Sequence, residues 1–182
     1  RRPISTPIRP RMASATATGK AISTRRPAAR HRRGHSISST SILADLDRHR
    51  DYLLGEWSGA RAAPLSARKA MLVAMLIDAY VDRLFAADHP ANGDVLAFRA
   101  EMGAQSPALG RIMALCSERG IRLVIEPVQV PLAEYDRLSV EDFMVSLYND
   151  HSVQRLMLVK DDGRRHDMLD TLRDAVSALR LE

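Results

Sequence analysis

The chain has 182 residues and a single cysteine, Cys116, so an intrachain disulfide is excluded. Its longest apolar run, the eight residues Ala70–Ile77, is far short of the ~20 that a bilayer-spanning helix needs. The formal charge of +5 hides two halves of opposite sign: residues 1–44 hold ten of the 27 basic residues and no acid, which leaves residues 45–182 with 17 bases, all 22 acids and a net charge of −5.

Residues 1–40 are rich in Arg, Ser, Thr, Ala and Pro, with no periodic apolar face. Such a segment cannot bury enough apolar surface to offset its ordering entropy, and a disordered basic tail is expected. Its densest part, RRPAARHRRGHS, holds Arg25, Arg26, Arg30, Arg32 and Arg33 without a carboxylate or an aromatic ring. Closely spaced cations suit phosphate, and the lack of rings to stack bases points to binding without sequence preference. The same composition also fits a solvated tail, an organellar import leader or an anionic-membrane tether. Met12 would make a natural start, with residues 1–11 then upstream or processed sequence, and the residues alone do not choose this over a native segment 1–11.

A single globular domain is expected over residues 41–182. Ser41 suits a helix cap, and a helix over about 41–54 would point Leu43, Leu46, Leu53 and Leu54 inward and end at Gly55 or Gly59. Trp57, between those glycines, reads as a loop anchor. The longest helix is predicted over about 65–87. Its first turns are apolar nearly all round, so Met71, Leu72 and Met75 share a half of the wheel with Arg68, Lys69, Asp78, Asp82 and Arg83. That overlap marks a central buried helix or an interface, and a homo-oligomer through residues 65–77 is expected from it.

His89-Pro90 and Asn92-Gly93 break the helix. Helices over about 93–103 and 107–119 follow, the second with Pro107 in its first turn, Cys116 in its apolar face and Gly120 as its stop. Residues 121–126 alternate as a strand, and Pro127 and Pro131 confine any continuation to a sheet edge or bulge. Ser139-Val-Glu-Asp142 resembles a capping box and opens a helix over about 139–150, with Phe143, Leu147 and Tyr148 along it. A second strand over 153–160, an Asp161-Asp-Gly163 turn and a helix over about 165–181 complete the chain. A helix between two strands permits a parallel crossover. The fold class is α+β and predominantly α: a helical N-terminal part packed on a small C-terminal β-α-β-α unit, preceded by the basic tail.

Three clusters carry chemistry-bearing residues. Asp161, Asp162, His166, Asp167 and Asp170 gather near one turn, and His166 with Asp170 would share a helix face at i, i+4. One helix then supplies two ligands, fewer than the three or four a transition metal wants, and turn and helix-dipole chemistry explains the acids. Asp150, His151 and Ser152 offer the residue types of a nucleophilic site without its geometry. Asp78 and Asp82 could pair for acid–base work or form a solvated face beside Arg83. No Gly-rich phosphate loop, nucleophile elbow, CxxC pair or EF-hand loop occurs. Two functions stay open: an interaction or regulatory protein that is not an enzyme, with the arginine tail on nucleic acid, and a small enzyme whose site joins Asp150, His151, Asp162 and His166. No cofactor or metal is expected. Nothing demands an oxidising or membrane setting, so a cytoplasmic place is expected, with organelle import through residues 1–40 left open.

Overall fold

The computed structural model describes residues 39–88, 93–118 and 120–181. The basic segment, with Arg25, Arg26, Arg30, Arg32 and Arg33, lies outside them, as does the break at residues 89–92.

Four helices come first: α1 (Ser39–Arg61), α2 (Ala67–Asp88), α3 (Val95–Gln105) and α4 (Pro107–Ser117). Strand β1 (Ile121–Gln129), a 3-10 turn (Leu132–Arg137), α5 (Val140–Tyr148), β2 (Ser152–Lys160), β3 (Arg165–Asp167) and α6 (Met168–Ala178) follow. The fold is α+β and mostly helical, with six helices beside one small sheet among the described residues.

Helix starts are fixed by side-chain acceptors, which satisfy N–H groups that have no partner within the helix. Asp94 Oδ1 accepts from Leu96 N at 2.9 Å and opens α3. Ser106 Oγ accepts from Leu109 N, with Pro107 in the first turn of α4. Ser139 Oγ accepts from Asp142 N at 3.1 Å, the forward half of the expected capping box; the Asp142 carboxylate bonds Arg155 rather than returning to the cap. Asp167 Oδ1 caps α6 through Asp170 N at 3.0 Å.

Several expectations give way. Gly55 and Gly59 do not end α1, which runs on to Arg61, because nothing presses on either Cα and the buried Leu53, Trp57 and Ala60 tie the helix to the core. Trp57 is therefore a core residue and not a loop anchor. Leu43 faces solvent. Residues 62–65 turn before α2, so that helix starts at Ala67 and not at 65. Helix α4 stops at Ser117 with Glu118 as its C-cap, and Gly120 does not adopt the left-handed conformation of a glycine cap; it lies against Asp161 instead. Residues 165–167, expected in the last helix, form β3.

The sheet order is β1-β2-β3, antiparallel throughout, so the parallel crossover does not occur. Ile121 pairs with Lys160 and Gln129 with Ser152, and β1 continues through Pro127 as an edge strand where a missing N–H costs no ladder bond. Side chains alternate between faces. Leu156 and Leu158 join the main core with Leu53 and Trp57 of α1, Val73 and Ile77 of α2, Ile112 of α4, and Met168, Leu172 and Val176 of α6. Val153, Arg155 and Met157 point to the opposite face, where α5 is held by Asp142 on Arg155 at 2.8 Å. The described residues from 39 to 181 form one compact unit.

Candidate interaction surface

Helix α5 has the sequence VEDFMVSLY, and its apolar residues Val140, Phe143, Met144, Leu147 and Tyr148 follow the i, i+3, i+4, i+7, i+8 spacing of a single helix face. In an ordinary surface helix such a stripe faces the core. Here it faces outward. Val140 is 80% exposed, Tyr148 83%, Leu147 51% and Met144 49%, with Phe143 and Val145 also exposed. The side turned to the sheet is the polar one: Ser146 is fully buried with its Oγ donating to Phe143 O at 2.8 Å, and Asp142 reaches Arg155.

This inversion has a local cause. Ser146 returns its hydroxyl to its own helix backbone and so can be buried without a foreign partner. A small residue there lets α5 lie close to β2, and the Asp142–Arg155 pair holds its first turn. The far end is pinned by the corner into β2. Asp150 (φ 48°) and His151 (φ 59°) take left-handed conformations in succession, His151 N bonds Ser146 O at 3.0 Å, and His151 O accepts from Val130 N at 2.8 Å. The His151 ring bonds the Tyr135 hydroxyl, and Tyr135 meets Phe143 edge-on with centroids 5.8 Å apart. The 3-10 turn and α5 are thus joined at their aromatic residues, and Leu132 of that turn is exposed too.

The stretch of chain that carries this face is acidic. Residues 131–151 contain five acids (Glu134, Asp136, Glu141, Asp142, Asp150) and one arginine (Arg137), a net of −4. Glu141 projects from α5 beside the stripe, Glu134 and Asp136 lie on the turn that Tyr135 ties to Phe143, and Asp150 sits past the C-terminal end; all four are exposed.

The expected interface on α2 is less open. Met71 and Leu72 are half-buried, Met71 packing on the core, and Met75 alone of the three is exposed, at 56%. Asp78 and Asp82 neither form a catalytic pair nor a free solvated face. Both clamp Arg99 of α3, Asp82 at 2.6 Å, while Arg83 turns to Asp45.

Asp150, His151, Asp162 and His166 are not brought together. The first two precede β2 and Asp162 follows it, so the nine-residue strand separates them by about 26 Å at ~3.3 Å per residue. His166 pairs with Leu158, roughly 23 Å along the strand from His151 on the same spacing. It lies on β3, so it shares no helix face with Asp170. Asp162 pairs with Arg164, which holds its carboxyl below the usual range. Among the described residues no three His, Cys, Asp or Glu side chains gather as a metal set. Burial pushes the Cys116 thiol up to about 11, so it is not a thiolate nucleophile near neutral pH.

A cleft of about 630 Å³ lies between the α1–α2 turn, the end of β1 and the start of α6. Most of its charged lining is committed to structure: Arg155 bonds Asp142 and approaches Asp167 at 3.9 Å, Asp167 caps α6, and Arg173 bonds Asp170, while Glu134 and Arg61 complete the charged lining. The lining contains no histidine or cysteine. None of the described helices is long and apolar enough to cross a membrane. Comparisons with protein-family models, curated proteins and solved structures find no match to this chain.

Proposed function

We propose that the chain is an interaction or regulatory protein, not an enzyme, whose folded part recruits a partner protein through the outward face of α5. The observation that carries this reading is the exposed stripe Val140, Met144, Leu147 and Tyr148, set opposite the side that packs on β2. Contiguous exposed apolar side chains on one element mark recognition sites, whereas singly scattered ones need no explanation. In the same reading, Arg25, Arg26, Arg30, Arg32 and Arg33 add sequence-independent affinity for nucleic acid. Self-association through Met71, Leu72 and Met75 has narrower support, because it rests on Met75 alone being open. The enzyme reading is less supported, since its residues sit at opposite ends of β2.

The test places a photo-reactive phenylalanine analogue at Tyr148 and irradiates the full chain in extract of its own cells. A discrete crosslinked species is expected, lost on Met144→Glu or Leu147→Glu. A crosslinking pattern that these substitutions leave unchanged would overturn the proposal.

A further inference from the structure

We infer that the occupant of the α5 face is a cationic amphipathic helix of a partner protein, an apolar stripe flanked by Lys or Arg. The inference rests on the reading of this face as a binding site and adds the chemistry of what it binds. A convex stripe at i, i+3, i+4 and i+7 spacing is matched by a second helix with the same spacing, because ridges of one helix seat between those of the other. Many elements could supply apolar contact; the charges choose among them.

The rim of the stripe is acidic: four exposed carboxylates lie on α5 and on the segments joined to it, with Glu134 also lining the cleft. Glu141 stands on α5 itself, Glu134 and Asp136 lie on the turn locked to Phe143 through Tyr135, and Asp150 closes the C-terminal end. None of these four carboxylates is ion-paired among the described residues; the fifth acid of the segment, Asp142, is already taken by Arg155. A second copy of this chain would bring another net −4 segment against this one. Like charges set opposite at a desolvating contact cost free energy and slow encounter, whereas opposite charges steer it and reject wrong partners. A basic helix therefore satisfies both the stripe and its rim, and a second copy satisfies only the stripe.

The rim is also held in place before any partner arrives. The Tyr135–His151 hydrogen bond, the Tyr135–Phe143 ring contact and the His151 backbone bonds to Val130 and Ser146 fix the turn, α5 and β2 relative to one another. A partner then gives up its own freedom but little of this protein's, the condition under which a small face can bind measurably.

The experiment uses the full chain and two labelled helical peptides with identical leucine stripes, one flanked by lysines and one by glutamates, read by fluorescence anisotropy. The lysine peptide is expected to bind at least tenfold more tightly, to weaken as salt is raised, and to lose at least tenfold on Leu147→Asp. That last change removes apolar surface while leaving the rim negative. Charge reversal by Asp136→Lys with Glu141→Lys brings the segment from −4 to 0 and is expected to abolish the preference between the two peptides. Circular dichroism checks that each variant is folded.

Equal binding of the two peptides, binding of neither, or a lysine preference that survives the charge reversal would each overturn the inference. Sedimentation showing a dimer that Leu147→Asp dissociates would make a second copy the occupant. Affinity for the lysine peptide that rises when the five arginines from Arg25 to Arg33 become glutamine would make the chain's own leader the competitor and occupant. If neither peptide binds while the Tyr148 crosslink persists, only the partner's chemistry is wrong; if the crosslink is missing as well, the face is not a binding site.

Discussion

His166 lies on β3 with Arg111, Arg164 and Lys160 as its positive neighbours and Asp162 as the opposing acid. Arg111 adds a buried Nε with no hydrogen-bond partner among the described residues. Burial and then the neighbouring cations hold the imidazole below its ordinary value of 6.5. A group whose folded-state pKa is depressed contributes stability that is present above its unfolded pKa and lost as pH falls through the folded one. The melting temperature is therefore expected to fall between about pH 7 and about pH 5, and to fall less in His166→Gln. Asp167 next door works in the opposite sense, since burial raises its carboxyl, so the comparison between variant and parent isolates the imidazole. Thermal melts of both proteins across that range check it, and parallel pH slopes would refute the assignment. The histidine was visible in the sequence but its setting was not. In the sequence it reads as the start of a helix, because three residues of strand after a turn carry no apolar alternation to betray them.

Glycines show at the level of elements where packing overrules local preference. Gly55 sits in the middle of α1 with open space around it, whereas Gly110 of α4 lies against Gly103 of α3. A Cβ on Gly110 would meet the Gly103 carbonyl oxygen at 3.3 Å, and backbone cannot swing away as a side-chain end can. Gly55→Ala is expected to raise stability by ~0.5–1 kcal/mol, the ordinary helix-interior cost of glycine. Gly110→Val is expected to lower it by ~1–3 kcal/mol, because the two helices must part to admit the side chain. Urea unfolding of the two variants checks both signs, and a stabilised Gly110→Val would show that the α3–α4 crossing is loose. Helix existence and type were legible from spacing and capping residues: Ser106-Pro107 and Ser139 stand where their helices begin. Two things were not. Glycine inside α1 looked like a stop, since its cost is local and the compensating burial of Leu53, Trp57 and Ala60 is not. The stripe on α5 was legible as a face but not as an outward one, because spacing groups apolar residues together without saying which side of the helix meets the sheet. Only the buried Ser146 and the Asp142–Arg155 pair decide that.

Across the whole molecule, charge divides along the chain, with ten bases and no acid in residues 1–44 and a net of −5 in residues 45–182. This division was fully legible in the sequence because it needs no geometry, while strand pairing was not. Pairing direction depends on how the chain returns after α5, and the left-handed Asp150 and His151 that reverse it are not glycines. The division of charge has a direct consequence for nucleic acid. A globule of net −5 repels a polyanion, so attraction must come from the leader, and each leader cation that neutralises a phosphate releases a counterion. With about six phosphates neutralised, the logarithm of the binding constant should fall against the logarithm of salt with a slope near −5. Replacing Arg25, Arg26, Arg30, Arg32 and Arg33 by glutamine removes five of the ten leader cations and should flatten that slope by about 4 while leaving the melting temperature unchanged. Anisotropy titrations of a labelled duplex at several salt concentrations measure the slope, and two unrelated duplex sequences should give the same constants, because the leader has no aromatic rings to stack on bases. A slope that survives the five substitutions would move the contact to the globule, against its net charge. A strong preference between the duplexes would mean that bases are read, which arginines neutralising phosphates alone do not do.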